Sequence, residues 1–165
     1  MSEATETFRL LFVCTGNTCR SPLAEALARR ELSERGWAQV EVGSAGVAAF
    51  PGEEASDGSL AAARRHGLDL SDHRATRLTE TVVAGSDLIL TMSPGHVVRA
   101  MELGGEGRTA LLTAFADHGV EGDILGGSGV PDPFGGDEAA YQAAYLALET
   151  LVTQVLNRLE PLVSS

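Results

Sequence analysis

FRLLFVCTGNTCRSPLAEALA, residues 8–28, is the stretch from which the fold is read. Phe8 to Val13 is a short apolar run followed by the turn formers Thr15, Gly16 and Asn17, the pattern of a buried strand. Ser21 has the chemistry of a helix N-cap, Pro22 suits the first helical position, and Leu23, Ala24, Leu27 and Ala28 share one helical face. Working outward, this helix should stop near Gly36 and a second strand should run from Val40 to Val42. Ala55 to His66 reads as a helix ended by Gly67, Asp87 to Met92 as a buried strand, Ser93-Pro94 as a helix start, and Thr109 to Phe115 as a fourth strand. A last helix, capped by Asp137, carries Tyr141, Tyr145, Leu148, Val152, Val155 and Leu159 at spacings of 3 or 4. Alternating strands and helices predict a parallel sheet with right-handed crossovers in an α/β sandwich.

The whole chain, 165 residues, is the length of one compact domain with one core. The domain is expected to span residues 1–165, with residues 1–6 flexible. The 12 basic residues are all Arg and stand against 23 acidic ones, so the formal charge is −11. Such a chain repels nucleic acid and anionic membrane surfaces, and an anionic ligand needs a local exception. The N-terminus lacks a signal-peptide pattern and no apolar run is long enough to span a bilayer, so a cytoplasmic protein is expected. Two Cys, five residues apart, make no disulfide framework, and in a reducing compartment both default to thiols. From Asp117 to Asp137 the chain holds seven Gly and two Pro in 21 residues, without periodicity, and such long loops usually carry function.

Cys14 to Ser21, C-T-G-N-T-C-R-S, joins the first strand to the first helix. Gly16 and Asn17 tolerate positive φ, so successive backbone N–H groups of Thr15 to Cys19 can turn inward as a nest for a tetrahedral oxyanion. The helix N-terminus adds partial positive charge, and Arg20 offers a planar fork to two oxygens at once. The Cys14 sulfur at the start of such a cradle is favoured as a thiolate nucleophile, with the Ser21 hydroxyl placed to donate to it. A nucleophile under a phosphoryl group also needs an acid for the departing atom and a base for water. Asp132, between Pro131 and Pro133 in V-P-D-P-F-G-G, is the candidate for both, with Phe134 as an apolar wall of the cleft.

V-C-T-G-N-T-C-R-S-P-L-A-E resembles the signature of the low-molecular-weight protein tyrosine phosphatase family, and D-P-F-G resembles its general-acid loop. G-S-A-G at Gly43 to Gly46 and D-H-R-A at Asp72 to Ala75 extend the likeness over nearly the whole chain. A bare C-x5-R would be a weak match; these motifs together, in order, are specific. The expected fold is then a flavodoxin-like three-layer sandwich: a central four-stranded parallel sheet of order 2-1-3-4 with helices on both faces. The resemblance implies a metal-independent, cofactor-free phosphatase in which Cys14 attacks phosphorus, Arg20 stabilises the transition state and Asp132 protonates the leaving group. It further implies that Asn17, Ser21, Ser44 and His73 hold the loop in shape. Phosphorylated proteins would be the partners, inorganic phosphate the product, and the enzyme a monomer.

Tyrosine-directed members commonly carry a larger aliphatic residue before the second Cys and a D-P-Y motif. Bacterial protein-arginine phosphatases resemble this chain, with C-T-G-N-T-C-R-S and D-P-F-G. Thr18 is small and polar, which suits a guanidinium-borne phosphoryl group, so phosphoarginine is the expected substrate and phosphotyrosine the alternative. Cys19 either packs beneath the loop or forms a reversible disulfide that protects Cys14 from overoxidation.

His66, His73, His96 and His118 lack metal-ligand spacing with one another or with the Cys. Tyr141, Tyr145 and Trp37 read as packing residues. Thioredoxin-coupled arsenate reductases share the fold and loop but need further Cys downstream, and none follows Cys19. A phosphocysteine carrier of a sugar phosphotransferase system needs neither the Arg20 fork nor the Asp132 acid. A pure phosphate-binding module is the remaining rival, distinguished by the lack of any turnover.

Overall fold

The computed structural model describes residues 7–118 and 129–163, with His118 described by its backbone alone. The expectation for residues 1–6, and the middle of the Gly-rich stretch, lie outside them. Four strands, β1 (Phe8–Cys14), β2 (Val40–Gly46), β3 (Leu88–Thr91) and β4 (Thr109–Leu111), form one parallel sheet in the order β2-β1-β3-β4. Around it pack α1 (Arg20–Arg35), α2 (Asp57–Arg65), α3 (Glu80–Ala84), α4 (Pro94–Ala100), α5 (Leu112–His118) and α6 (Glu138–Val163). The expected three-layer sandwich and strand order are those observed.

Alternation along β1 explains the layers. Leu10, Phe12 and Cys14 face the larger core with Leu23 and Leu27 of α1 and Tyr145, Leu148 and Leu156 of α6. Leu11 and Val13 face a second cluster with Val83 and Ala100 on the opposite side. Each fully buried Leu or Phe contributes about 1.5–3 kcal/mol from burial alone. β1 thus lies between β2 and β3, and the chain leaves its C-terminal end toward neighbours on both sides. In open parallel sheets such a switch point leaves a crevice beyond the strand ends, where ligands bind. Cys14 is the last residue of β1 and sits in that crevice.

Four local expectations change. The first helix begins at Arg20, with Cys19 at the N-cap position and no side-chain cap bond, so Ser21 is not the cap. The Ser21 hydroxyl is instead drawn to Cys14 and Asn17. β4 ends at Leu111, and Leu112 to His118 is helical where a strand to Phe115 was expected. A short apolar run is compatible with either element, and here both are buried, so periodicity does not separate them. β2 runs on to Gly46, four residues past Val42. Helix α3, capped by Thr79, had no counterpart in the sequence reading. The Ser93-Pro94 start of α4 and the Asp137 cap are as expected, with Asp137 Oδ1 accepting from Ala140 N–H at 3.0 Å.

Candidate active site

The turn after β1 is organised around one residue. Asn17, fully buried, takes a left-handed conformation with φ of 57°, and nearly every polar group it has is used. Its backbone N–H donates to Cys14 Sγ at 3.2 Å, and its carbonyl accepts from His73 Nε2 at 2.6 Å. Its side-chain oxygen accepts from Thr76 N–H at 2.8 Å, while Nδ2 donates to Ser21 Oγ at 2.7 Å and Ser44 Oγ at 2.9 Å. Such saturation offsets the cost of a left-handed non-glycine residue. Gly16, expected to share the unusual φ, does not adopt it. The glycine the loop requires is Gly46, at the end of β2, where a Cβ would lie 2.5 Å from Thr15 O and 2.8 Å from Asn17 N.

Cys14 Sγ lies 2.9 Å from Ser21 Oγ, so the sulfur has two hydrogen-bonding neighbours at the floor of the turn. The network then runs outward, because Ser44 Oγ donates to Glu25 Oε1 at 2.5 Å and Glu25 pairs with Arg29. Ser44 and His73, inferred from family likeness alone, are therefore both in contact with Asn17. Glu25 and Thr76 were missed. Glu25 stood inside the quoted S-P-L-A-E, one helical turn after Ser21, and that spacing was the available signal.

Arg20 is 3% exposed. Its Nη1 donates to Val130 O at 2.8 Å and Ser93 Oγ at 3.3 Å, and its Nη2 lies 3.6 Å from Asp132 Oδ2. Its Nε is buried with no hydrogen-bond partner among the described residues, a donor suited to an oxyanion in the cradle. Asp132 is half-exposed and its Oδ1 accepts from Phe134 N–H at 3.1 Å, a turn that aims the carboxyl inward. The acid segment is fastened to the sheet: Val130 N–H donates to Met92 O at 2.8 Å, and a Cβ on Gly129 would fall 2.2 Å from that oxygen.

These residues line a cleft of about 300 Å³: Cys14, Thr15, Gly16, Thr18, Cys19 and Arg20 below, Ala48, Phe50, Glu53, Asp132 and Phe134 around the mouth. Phe50 and Phe134 are exposed aromatic walls. A larger cavity, about 720 Å³, opens beside Glu25 and His73, but none of Cys14, Arg20 or Asp132 reaches it. The smaller cleft is the one that gathers the three candidate catalytic residues. Cys19 is a buried free thiol at the edge of the cleft, its Sγ donating to Ser56 Oγ at 3.3 Å and 3.6 Å from the Tyr141 hydroxyl. Among the described residues, no cluster of three or more His, Cys, Asp or Glu could hold a metal ion, and no helix is long and apolar enough to cross a membrane.

His96, on α4, also escaped the sequence reading. Its Nε2 is 3.0 Å from Thr15 Oγ1, bracing the residue after Cys14. Burial pushes its pKa down to about 4, with the Arg20 charge adding and Asp132 opposing. The imidazole stays neutral in the fold but titrates near 6.5 when unfolded, so stability falls as pH drops from about 6.5 towards 4 and levels off below. The loss from pH 7.5 to pH 5 should be about 2 kcal/mol, and His96→Gln should remove that part of it. Urea unfolding of both proteins at the two pH values checks this; equal pH dependence would disprove it.

A buried thiol, a buried guanidinium and a half-exposed carboxyl gathered in one cleft on this sheet are the groups that a cysteine-based phosphatase requires. The model of the low molecular weight phosphotyrosine protein phosphatase family matches residues 9–164. A protein-arginine-phosphatase of Geobacillus stearothermophilus is 38% identical over 93% of this chain and 97% of its own. The low molecular weight protein-tyrosine-phosphatase Wzb of Escherichia coli K12 is 34% identical over 88% of this chain and 90% of its own. The solved YwlE arginine phosphatase, a cysteine-to-serine mutant with a phosphorylated active-site serine, superimposes with a TM-score of 0.84 at 32% identity, covering 93% and 96% of the two chains. The chain belongs to the low molecular weight phosphotyrosine protein phosphatase family, and it is a protein phosphatase.

Proposed function

We propose that the protein hydrolyses phosphoarginine on proteins, acting in the cytoplasm as a single-domain monomer over residues 1–165 and releasing inorganic phosphate. Cys14 thiolate attacks phosphorus in line with the P–N bond. That bond breaks as the Asp132 carboxylic acid passes its proton to the departing guanidino nitrogen, releasing the arginine side chain and leaving phosphocysteine with an Asp132 carboxylate, which then takes a proton from water. The water oxygen attacks phosphorus, the S–P bond breaks, and the Ser21 hydroxyl donates to the emerging thiolate at the contact it already makes. Arg20 and the backbone N–H groups of Thr15 to Cys19 receive the charge on the equatorial oxygens.

The observation that carries this reading is the 3.6 Å approach of Asp132 to Arg20 in the same cleft that the hydrogen-bonded Cys14 lines. A phosphoryl group entering the cradle takes over the Arg20 fork and leaves Asp132 beside the bridging atom. For phosphoarginine the support is Thr18 on the cleft wall, Phe134 at its mouth, and relatives named as arginine phosphatases. Phosphotyrosine is the second reading, favoured by relatives named as tyrosine phosphatases. Paired assays on phosphoarginine and phosphotyrosine peptides test it. Wild type should prefer phosphoarginine, and Thr18→Ile should shift the ratio toward phosphotyrosine. Equal or better wild-type turnover of phosphotyrosine would overturn the assignment.

A further inference from the structure

The cleft contains a carboxylate for which the reaction above has no use. Glu53 lies in the segment after β2 and lines the cleft together with Thr18, Phe50, Asp132 and Phe134. Its backbone is pinned on both sides, its N–H donating to Phe50 O at 3.2 Å and its carbonyl accepting from Ala75 N–H at 2.7 Å. Its side chain is exposed and, among the described residues, has neither hydrogen bond nor ion pair, whereas its neighbour Glu54 pairs with Arg74 at 3.9 Å. The cleft therefore holds two carboxylates and one guanidinium, and that guanidinium already faces Asp132.

An unpaired carboxylate at the mouth is an odd feature for an enzyme whose substrate is a phosphate. It opposes the entry of a dianion, and an aryl phosphate carries nothing at that level to balance it. A phosphorylated guanidinium does. Once its phosphoryl group rests on Cys14 and Arg20, the planar cation that bears it stands at the height of the cleft walls, with N–H groups pointing sideways. Asp132 cannot be its fixed counter-charge, because the acid must be protonated at the moment it acts. We propose that Glu53 is a specificity-determining residue that pairs with the substrate guanidinium, favouring phosphoarginine and disfavouring aryl phosphates. This rests on the phosphoarginine reading above, and it predicts effects of opposite sign on the two substrate classes.

The test is kcat/KM for wild type, Glu53→Gln and Glu53→Asp on a phosphoarginine peptide and on p-nitrophenyl phosphate, at low salt and at 1 M salt. Glutamine keeps the size of the side chain at an exposed position, so thermal unfolding should be unchanged. With Glu53→Gln, phosphoarginine turnover should fall about fivefold, mainly through KM, as the upper range for a solvent-exposed ion pair allows. Turnover of the aryl phosphate should stay level or rise, Glu53→Asp should lie between, and 1 M salt should erase most of the difference. An equal loss on both substrates, or no loss on either, would overturn the Glu53 role while leaving the phosphoarginine reading intact. A wild-type enzyme that turns over the aryl phosphate but not the phosphoarginine peptide would overturn both.

Discussion

Cys14→Ser should lose turnover by about 10⁴-fold or more on every phosphorylated substrate, while folding and phosphate binding persist. At neutral pH a serine hydroxyl is a far weaker nucleophile than a thiolate, and neither His96 nor His73, the two histidines that touch the loop, is free to activate it. His96 is turned to Thr15, and His73 donates to the Asn17 carbonyl. The substitution changes one atom, and an oxygen there can keep both the Ser21 and the Asn17 contacts that the sulfur makes. Stopped-flow and steady-state assays with an aryl phosphate give the rate, and equilibrium binding of inorganic phosphate shows whether the cradle survives. Residual turnover above about a tenth of wild type would place the nucleophile elsewhere.

Asp132→Asn should separate substrates by their leaving groups. Asparagine retains the oxygen that accepts from Phe134 N–H, so the turn is preserved, but it has no proton to give. Departure of a guanidino nitrogen without protonation is slow, so phosphoarginine turnover should fall by roughly 10²–10⁴-fold, the span of general acid–base catalysis. A nitrophenolate leaves without help. The first step with p-nitrophenyl phosphate should therefore be much less affected, and the slow second step should appear as a burst of nitrophenol followed by a low steady rate. An equal loss in both steps and on both substrates would show that Asp132 acts through structure, for example by holding Arg20.

How far the sequence could be read follows from how far apart the interacting residues lie. Within residues 8–28 the strand, turn and helix were legible because each signal spans a few residues: a run of apolar side chains, a Gly-Asn turn, a Pro at the start of a helix. Even there the cap was misplaced, since Ser21 had two uses and the fold took the one that faces Cys14. The boundary between β4 and α5 is not legible for a related reason. Leu112, Phe115 and Ala116 are buried whichever element carries them, and composition alone does not choose. Asp132 stood out as a candidate because Pro131 and Pro133 mark it and the family pattern suggests its role, and the structure places it 3.6 Å from Arg20. Glu53 and His96 carry no such local mark.

The sequence by itself determined the alternation of strands and helices, the parallel sandwich, and the cradle with Cys14, Arg20 and Ser21, because hydrophobic period and turn chemistry act over less than two helical turns. The tertiary structure decided what surrounds that cradle. Val130 O reaches Arg20 across 110 residues, His96 reaches Thr15 across 81, and Ser44 reaches Asn17 across 27. Those contacts exist because β1 lies between β2 and β3, which brings the ends of three strands and the acid segment to one crevice. No local signal carries that order; it follows from which pairing buries both faces of β1, a property of the whole core.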